Sequence, residues 1–252
     1  LDWLTVHDNG RDGVFADSLL VRITHSKVYD NGRIGLALRS VGGCLVETSE
    51  VYGNRTGIDI INPGTARAVV GHGDLTAGLG NRVYENDGDG IFASGNVLVA
   101  GNTVAKNGLI GIHLDDGADA ERNVVRQHVT GISALGSESN VIENRSYENT
   151  DTGIEASYAS YLHRNVTYSN GNKGIYVDRY SGVMDHNLVY DTGWASIHVA
   201  GPGMAPELIN NTVYEPCPYN EFEPPPDKTT IEIPWRWHVE MEEDIEEVGG
   251  ER

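Results

Sequence analysis

The chain has 252 residues, a formal charge of −19, 39 % hydrophobic residues, nine histidines and two cysteines. Binding to phosphate needs a basic surface, so this charge argues against nucleic acid as a partner, and no apolar run is long enough to cross a bilayer as a helix. A polyanionic sugar is repelled as well, unless a local arginine cluster or bound Ca²⁺ reverses the field.

From Val6 to Tyr214 a small residue followed by an aliphatic one recurs about every 22 residues. The copies are Gly13-Val14, Gly35-Leu36, Gly57-Ile58, Gly90-Ile91, Gly111-Ile112, Gly131-Ile132, Gly153-Ile154, Gly174-Ile175 and Ser196-Ile197. So short a period, with no helical pattern inside it, predicts an all-β chain coiled as a parallel β-helix (solenoid) of about ten turns. The expected organisation is one elongated domain over 1–215, followed by a capping segment and acidic tail over 216–252.

One copy reads Val28-Tyr29-Asp30-Asn31-Gly32-Arg33-Ile34-Gly35-Leu36-Ala37-Leu38. Alternation on both sides of the Asn31 corner predicts two short strands, with Val28, Leu36 and Leu38 inward and Tyr29 outward. Asn9, Asn31, Asn54, Asn86, Asn107, Asn149 and Asn170 mark that corner, with His128 and Thr192 as exceptions. A second file runs through Asn81, Asn102, Asn123, Asn144, Asn165, Asn187 and Asn211. Asn tolerates left-handed turns and its amide hydrogen-bonds neighbouring backbone, so two structural corner ladders are expected.

The interval from Gly57 to Gly90 is longer than the rest and implies an insertion within Asn62 to Asp74, a natural place for a loop on one face. After Tyr214 the repeat stops. Glu223 to Asp227 holds three prolines unsuited to a central strand, Thr230 to Ile233 suits a strand, and Val239 to Glu247 suits a short acidic helix. Ile233, Trp235 and Trp237 are expected to close the end of the coil. Cys44 and Cys217 fall about seven turns apart, beyond disulfide reach, which leaves two free thiols.

Outward positions two and four residues after each anchor form two columns. The first is Phe15, Ala37, Asp59, Phe92, His113, Ser133, Glu155, Tyr176 and His198; the second is Asp17, Arg39, Ile61, Ser94, Asp115, Leu135, Ser157, Asp178 and Ala200. Together they give one face rich in groups that move protons. Asp17, Asp59, His113, Asp115, Tyr176 and Asp178 are its candidate acids and bases; Arg39, Arg179 and His198 are candidate substrate contacts, and Asp116 adjoins Asp115. A further column, Tyr29, Tyr52, Tyr84, Tyr147, Tyr168, Tyr190 and Tyr214, suits stacking on sugar rings or on one another. The histidines show no tight metal-ligand spacing, so no metal ligand is assigned.

Thr5-Val6-His7-Asp8-Asn9-Gly10-Arg11-Asp12-Gly13-Val14-Phe15-Ala16-Asp17, followed by Ser18-Leu19, resembles the catalytic module of the mannuronan C5-epimerases. The likeness is specific from Thr5 to Arg39 and repeat-like beyond. It implies a right-handed parallel β-helix that abstracts the proton beside a uronate carboxylate, then returns a proton on the other face or expels the 4-linked sugar. By the same resemblance Asp17 falls on the aspartate after the family's Asn-Gly corner, and Arg33 on an arginine of its substrate groove. A uronate-containing polysaccharide, Ca²⁺ as a cofactor, and a secreted or cell-surface location follow as expectations. The family's Tyr-Gly-x-Asp-Pro-His signature does not occur in these residues and is expected one turn before Leu1, while Ile34 stands where the family has histidine. A non-catalytic polysaccharide-binding or structural module is the alternative. The chain is expected to be a monomer, or to pack through its open N-terminal end.

Overall fold

A computed structural model describes residues 1–18, 20–40, 42–72, 80–135, 138–201 and 206–214. They coil through three parallel sheets of ten, nine and nine strands, in which each strand pairs with those one turn before and one turn after. The first sheet runs from Thr5–His7 to Thr212–Tyr214, the second from Val14–Asp17 to Ala195–Ala200, and the third from Val21–Thr24 to Glu207–Ile209. Among the described residues no helix is long and apolar enough to cross a membrane.

The core is a set of files, one residue per turn. In the second sheet Leu36, Ile58, Ile91, Ile112, Ile132, Ile154 and Ile175 lie on successive rungs and are fully buried. Each such side chain contributes about 1.5–3 kcal/mol by leaving water. Val28, Val51, Val83, Val104, Val125 and Val189 are fully buried in the first sheet, with Ser146 and Thr167 on the rungs between the last two; Ile23, Val46, Val70, Val99, Ala120, Val141, Leu162 and Met184 form the file of the third. Parallel strands buried on one side keep register because a one-residue slip would turn the whole file outward.

The anchor glycines are required by close approach. A Cβ on Gly35 would stand 2.7 Å from the carbonyl oxygen of Gly57, 2.7 Å from Cγ1 of Val51 and 2.8 Å from Nδ2 of Asn54. The corresponding contacts recur at Gly13, Gly57 and Gly90.

Both corner ladders form. The backbone N–H and Nδ2 of Asn86 donate to Oδ1 of Asn107 at 3.0 and 2.9 Å, and Nδ2 also reaches the Val51 carbonyl. The second ladder begins with serines: Leu4 N–H donates to Ser26 Oγ, Ser26 N–H to Ser49 Oγ, and Ser49 N–H to Asn81 Oδ1. One expectation is corrected. The left-handed conformation belongs to the residue before the corner asparagine, as at Asp30 (φ 53°), Glu85 (φ 53°), Lys106 (φ 56°), Glu143 (φ 55°) and Arg164 (φ 52°), with Gly80 before Asn81 as an exception. The preceding residue turns the chain, which leaves the asparagine amide aimed along the coil to satisfy buried backbone groups.

The insertion is divided between two corners. Residues 63–67 follow Thr56–Asn62, and residues 72–81 separate Ala68–Gly71 from Arg82–Tyr84. Register survives, since Ala68 to Gly71 pair with Val97 to Ala100. The capping segment, the acidic tail, Ile233, Trp235, Trp237 and Cys217 lie outside the described residues. Cys44 is a buried free thiol, and burial raises its pKa to about 11.

Candidate functional site

The ladder of the second sheet joins the first outward column residue for residue and most of the second. Phe15, Ala37, Asp59, Phe92, His113, Ser133, Glu155, Tyr176 and His198 are successive partners. Asp17, Arg39 and Ile61 are partners beside them, as are Ser94 with Asp115 and Ser157 with Asp178 and Ala200. Outward side chains spaced by one turn therefore share a single strip.

At the N-terminal end of the strip, Arg39 lies beside Asp17 on the ladder but turns to Asp59. Its Nη1 and Nη2 donate to Oδ1 and Oδ2 of Asp59, both at 2.9 Å. This two-pronged pair satisfies the carboxylate and the guanidinium together. Arg33 reaches Asp12 at 3.9 Å with Nε. Ala37 is small enough to be buried despite its outward position.

In the middle, Nδ1 of His113 stands 3.3 Å from Oδ2 of Asp89, and the imidazole meets Phe92 edge-on at 5.1 Å. The hydrogen bond to Asp89 raises the His113 pKa; burial opposes it, and the charges of Asp89, Asp115 and Glu155 add to the rise. Asp89 is fixed in turn, because its Oδ1 accepts the Ile110 N–H. Asp115 Oδ1 accepts the Asp116 N–H, and Asp116 Oδ2 accepts from Ser94 Oγ at 3.1 Å. A cleft of about 330 Å³ opens here, lined by Asn62, Gly64, Ser94, Asn96 and Asp116 among others. One of its walls comes from the first part of the insertion, at Asn62 to Gly64.

Towards the C-terminal end, Lys173 Nζ lies 4.4 Å from the centre of the Tyr176 ring and 5.4 Å from that of Trp194. The His198 imidazole is 5.2 Å from Tyr176 and meets Trp194 edge-on at 4.9 Å. Burial raises the Tyr176 pKa, and the carboxylates of Asp178 and Glu155 raise it further. The phenol is therefore a neutral proton donor at neutral pH. Arg179 sits at a register shift, holds Asp178 at 3.2 Å and has φ 47°.

Tyr29 and Tyr52 belong to the first sheet and do not share this strip. Their rings stack on each other at 5.0 Å, and Tyr52 stacks on Tyr84 at 4.9 Å. The column breaks at Ala105 and Arg126 and resumes with Tyr147, Tyr168 and Tyr190 at 4.7 and 5.0 Å. The ring faces are used within the protein, which leaves a sugar mainly ring edges.

Reasoning from the columns alone overlooked Asp89, Lys173 and Trp194. Asp89 and Lys173 each precede an anchor glycine, a third outward position that repeats with the same period, so the signal was present in the spacing.

A family model described as the right-handed β-helix region matches residues 93–219. The chain belongs to this family. No curated protein matches it. Among solved structures it resembles two mutant forms of the periplasmic alginate epimerase AlgG. One has a TM-score of 0.65 at 17 % identity, with 80 % of this chain and 56 % of that chain covered. The other has a TM-score of 0.64 at 19 % identity, with 77 % and 51 % covered. This right-handed β-helix chain therefore spans about half the length of those epimerases. At such identity the likeness establishes the shared fold.

Proposed function

We propose that this β-helix acts on a uronate-containing polysaccharide laid along the outward strip of its second sheet, and that chemistry takes place around Tyr176, His198 and Lys173. Proton abstraction beside a uronate carboxylate needs a cation at the carboxylate, a base on one side of the sugar and an acid on the other. The observation that carries the reading is the convergence of those three groups: the Lys173 ammonium over the Tyr176 ring and the His198 imidazole beside it.

In this reading His198 removes the proton, Lys173 neutralises the carboxylate as charge moves onto it, and Tyr176 supplies a proton to the opposite face. If the glycosidic bond at the neighbouring carbon breaks instead, Tyr176 gives its proton to the departing oxygen and the product is an unsaturated end. His113 lies three ladder steps from Tyr176, roughly 14 Å, and serves a neighbouring sugar. Asp115 and Asp116 offer the hard oxygen donors that Ca²⁺ takes, and a bound Ca²⁺ would offset their charge towards the polymer. The alginate-acting neighbours support a location outside the cytoplasm for this chain too.

The test is incubation with polymannuronate and Ca²⁺, following guluronate by NMR and unsaturated ends by ultraviolet absorbance. Product that disappears in Tyr176→Phe supports the reading. A polymer that binds but never turns over supports the second reading, a binding module without catalysis. The closed Arg39–Asp59 pair favours that second reading, because it ties up the Asp59 carboxylate, one of the strip's candidate bases.

A further inference from the structure

On the third sheet, away from the strip, two turns bring together two imidazoles and a carboxylate. His163 ends the strand Tyr161–His163 and Asp185 ends Val183–Asp185, and the two are ladder partners. Nδ1 of His163 lies 2.5 Å from Oδ1 of Asp185, and Nδ1 of His186 lies 3.2 Å from Oδ2 of the same carboxylate. Consecutive strand residues ordinarily point to opposite faces. Here His186 has φ 53°, and this left-handed corner turns its ring back beside Asp185.

We propose that His163, Asp185 and His186 form a binding site for a divalent transition-metal ion of the Zn²⁺ class. One ligand atom from each residue can be chosen so that all lie within 4.8 Å of one another, and among the described residues no other group of His, Cys, Asp and Glu does so. Zinc and its neighbours bind imidazole nitrogen and carboxylate oxygen at about 2.0–2.2 Å, so small side-chain rotations close the gap. His163 and Asp185 are about four-fifths enclosed, while His186 is half-exposed, which leaves a way in for the ion and for water in the remaining positions.

The surroundings suit that use. The Tyr161 hydroxyl lies 3.1 Å from His163 Nδ1, and its ring stacks on the imidazole at 5.4 Å, which limits the ring's orientation. The Asn210 side-chain amide faces Nε2 of His186 at 3.4 Å, where it can steady the nitrogen that does not face the carboxylate. Arg164, the nearest cation in sequence, is drawn to Glu143 at 3.7 Å and so faces another carboxylate. With one carboxylate between two imidazoles, the donor set favours Zn²⁺, Co²⁺, Ni²⁺ or Cu²⁺ over Ca²⁺. The ion would clip the turn bearing His163 to the turn bearing Asp185 and His186, near the C-terminal end of the described coil. This proposal is independent of the sugar chemistry above.

The test is titration of the untagged full chain with ZnCl₂ by calorimetry, with CoCl₂ by visible absorbance, and with CaCl₂ as a competitor. The expected result is a Zn²⁺ site that Ca²⁺ does not displace, visible Co²⁺ bands, and a Tm raised by Zn²⁺. Asp185→Asn and His186→Ala should each weaken that site at least about tenfold and remove the Zn²⁺-dependent rise in Tm. His186 is half-exposed, so its variant is expected to fold, and the Tm without metal checks this. A wild-type chain that does not bind, or one whose binding is unchanged in both His186→Ala and His163→Ala, overturns the assignment.

Discussion

Nδ2 of Asn107 lies 3.1 Å from Nε2 of His128, so a buried imidazole takes a rung in a ladder whose other rungs from Asn9 to Asn170 are amides. An amide nitrogen only donates, which makes Nε2 the acceptor and places the proton on Nδ1, 3.3 Å from Oδ1 of Asn149. The polarity of the ladder thus fixes a neutral tautomer. A second proton would set N–H against NH₂ in a dry interior.

Burial accordingly lowers the His128 pKa from 6.5 to about 4, and the charge of Arg126 acts in the same direction. Between these values the unfolded chain binds a proton that the folded chain refuses, so stability is full above pH 6.5 and falls as pH drops towards 4. The loss is roughly 3 kcal/mol at most. His128→Asn should complete the ladder and flatten this part of the acid limb, as read by denaturant unfolding across that window. Parallel acid limbs in the two proteins would contradict the assignment.

Gly35→Ala is expected to cost about 2–4 kcal/mol, because the new methyl meets backbone and core atoms of the next turn. Gly10→Ala should change stability by less than about 0.5 kcal/mol, since nothing stands within 4 Å of its would-be Cβ. Thermal and urea unfolding of the pair check this contrast.

Asp89→Asn should lower the His113 pKa, because the leading cause of its rise is the hydrogen bond to that carboxylate. Holding His113 charged stabilises the fold at pH values below the unfolded pKa, and the contribution is lost as pH rises through the folded value. An NMR titration of the imidazole measures both ends of the comparison.

In a Cys217→Ser background, Cys44 should react with a thiol reagent at mildly alkaline pH only on the timescale of unfolding. Its raised pKa leaves little thiolate, and its burial blocks access. Fast labelling of the native protein would show that this part of the third sheet opens readily.

Most of the coil was legible because one turn of sequence equals one step of the ladder. The Val and Ile files, the asparagine ladders and the strip from Phe15 to His198 all follow from that equality. What spacing does not reveal is where the chain bends and which neighbour a side chain chooses. The left-handed residue precedes the corner asparagine at all but Asn81, and Ser26 and Ser49 serve as rungs because any side-chain acceptor at that corner suffices. Arg39 turns from Asp17, its direct ladder partner, to Asp59, which lies diagonally on the next turn. The His163, Asp185 and His186 cluster was hidden because its members come from adjacent turns and a backbone corner turns one of them back.

The most direct test of the central claim, that the second-sheet strip receives a uronan, is affinity electrophoresis in gels containing alginate. Retardation of the wild type, lost in Lys173→Ala and kept in Tyr52→Ala on the first sheet, is the predicted result. Equal mobility of the wild type with and without polymer, or retardation lost in Tyr52→Ala but kept in Lys173→Ala, would contradict it.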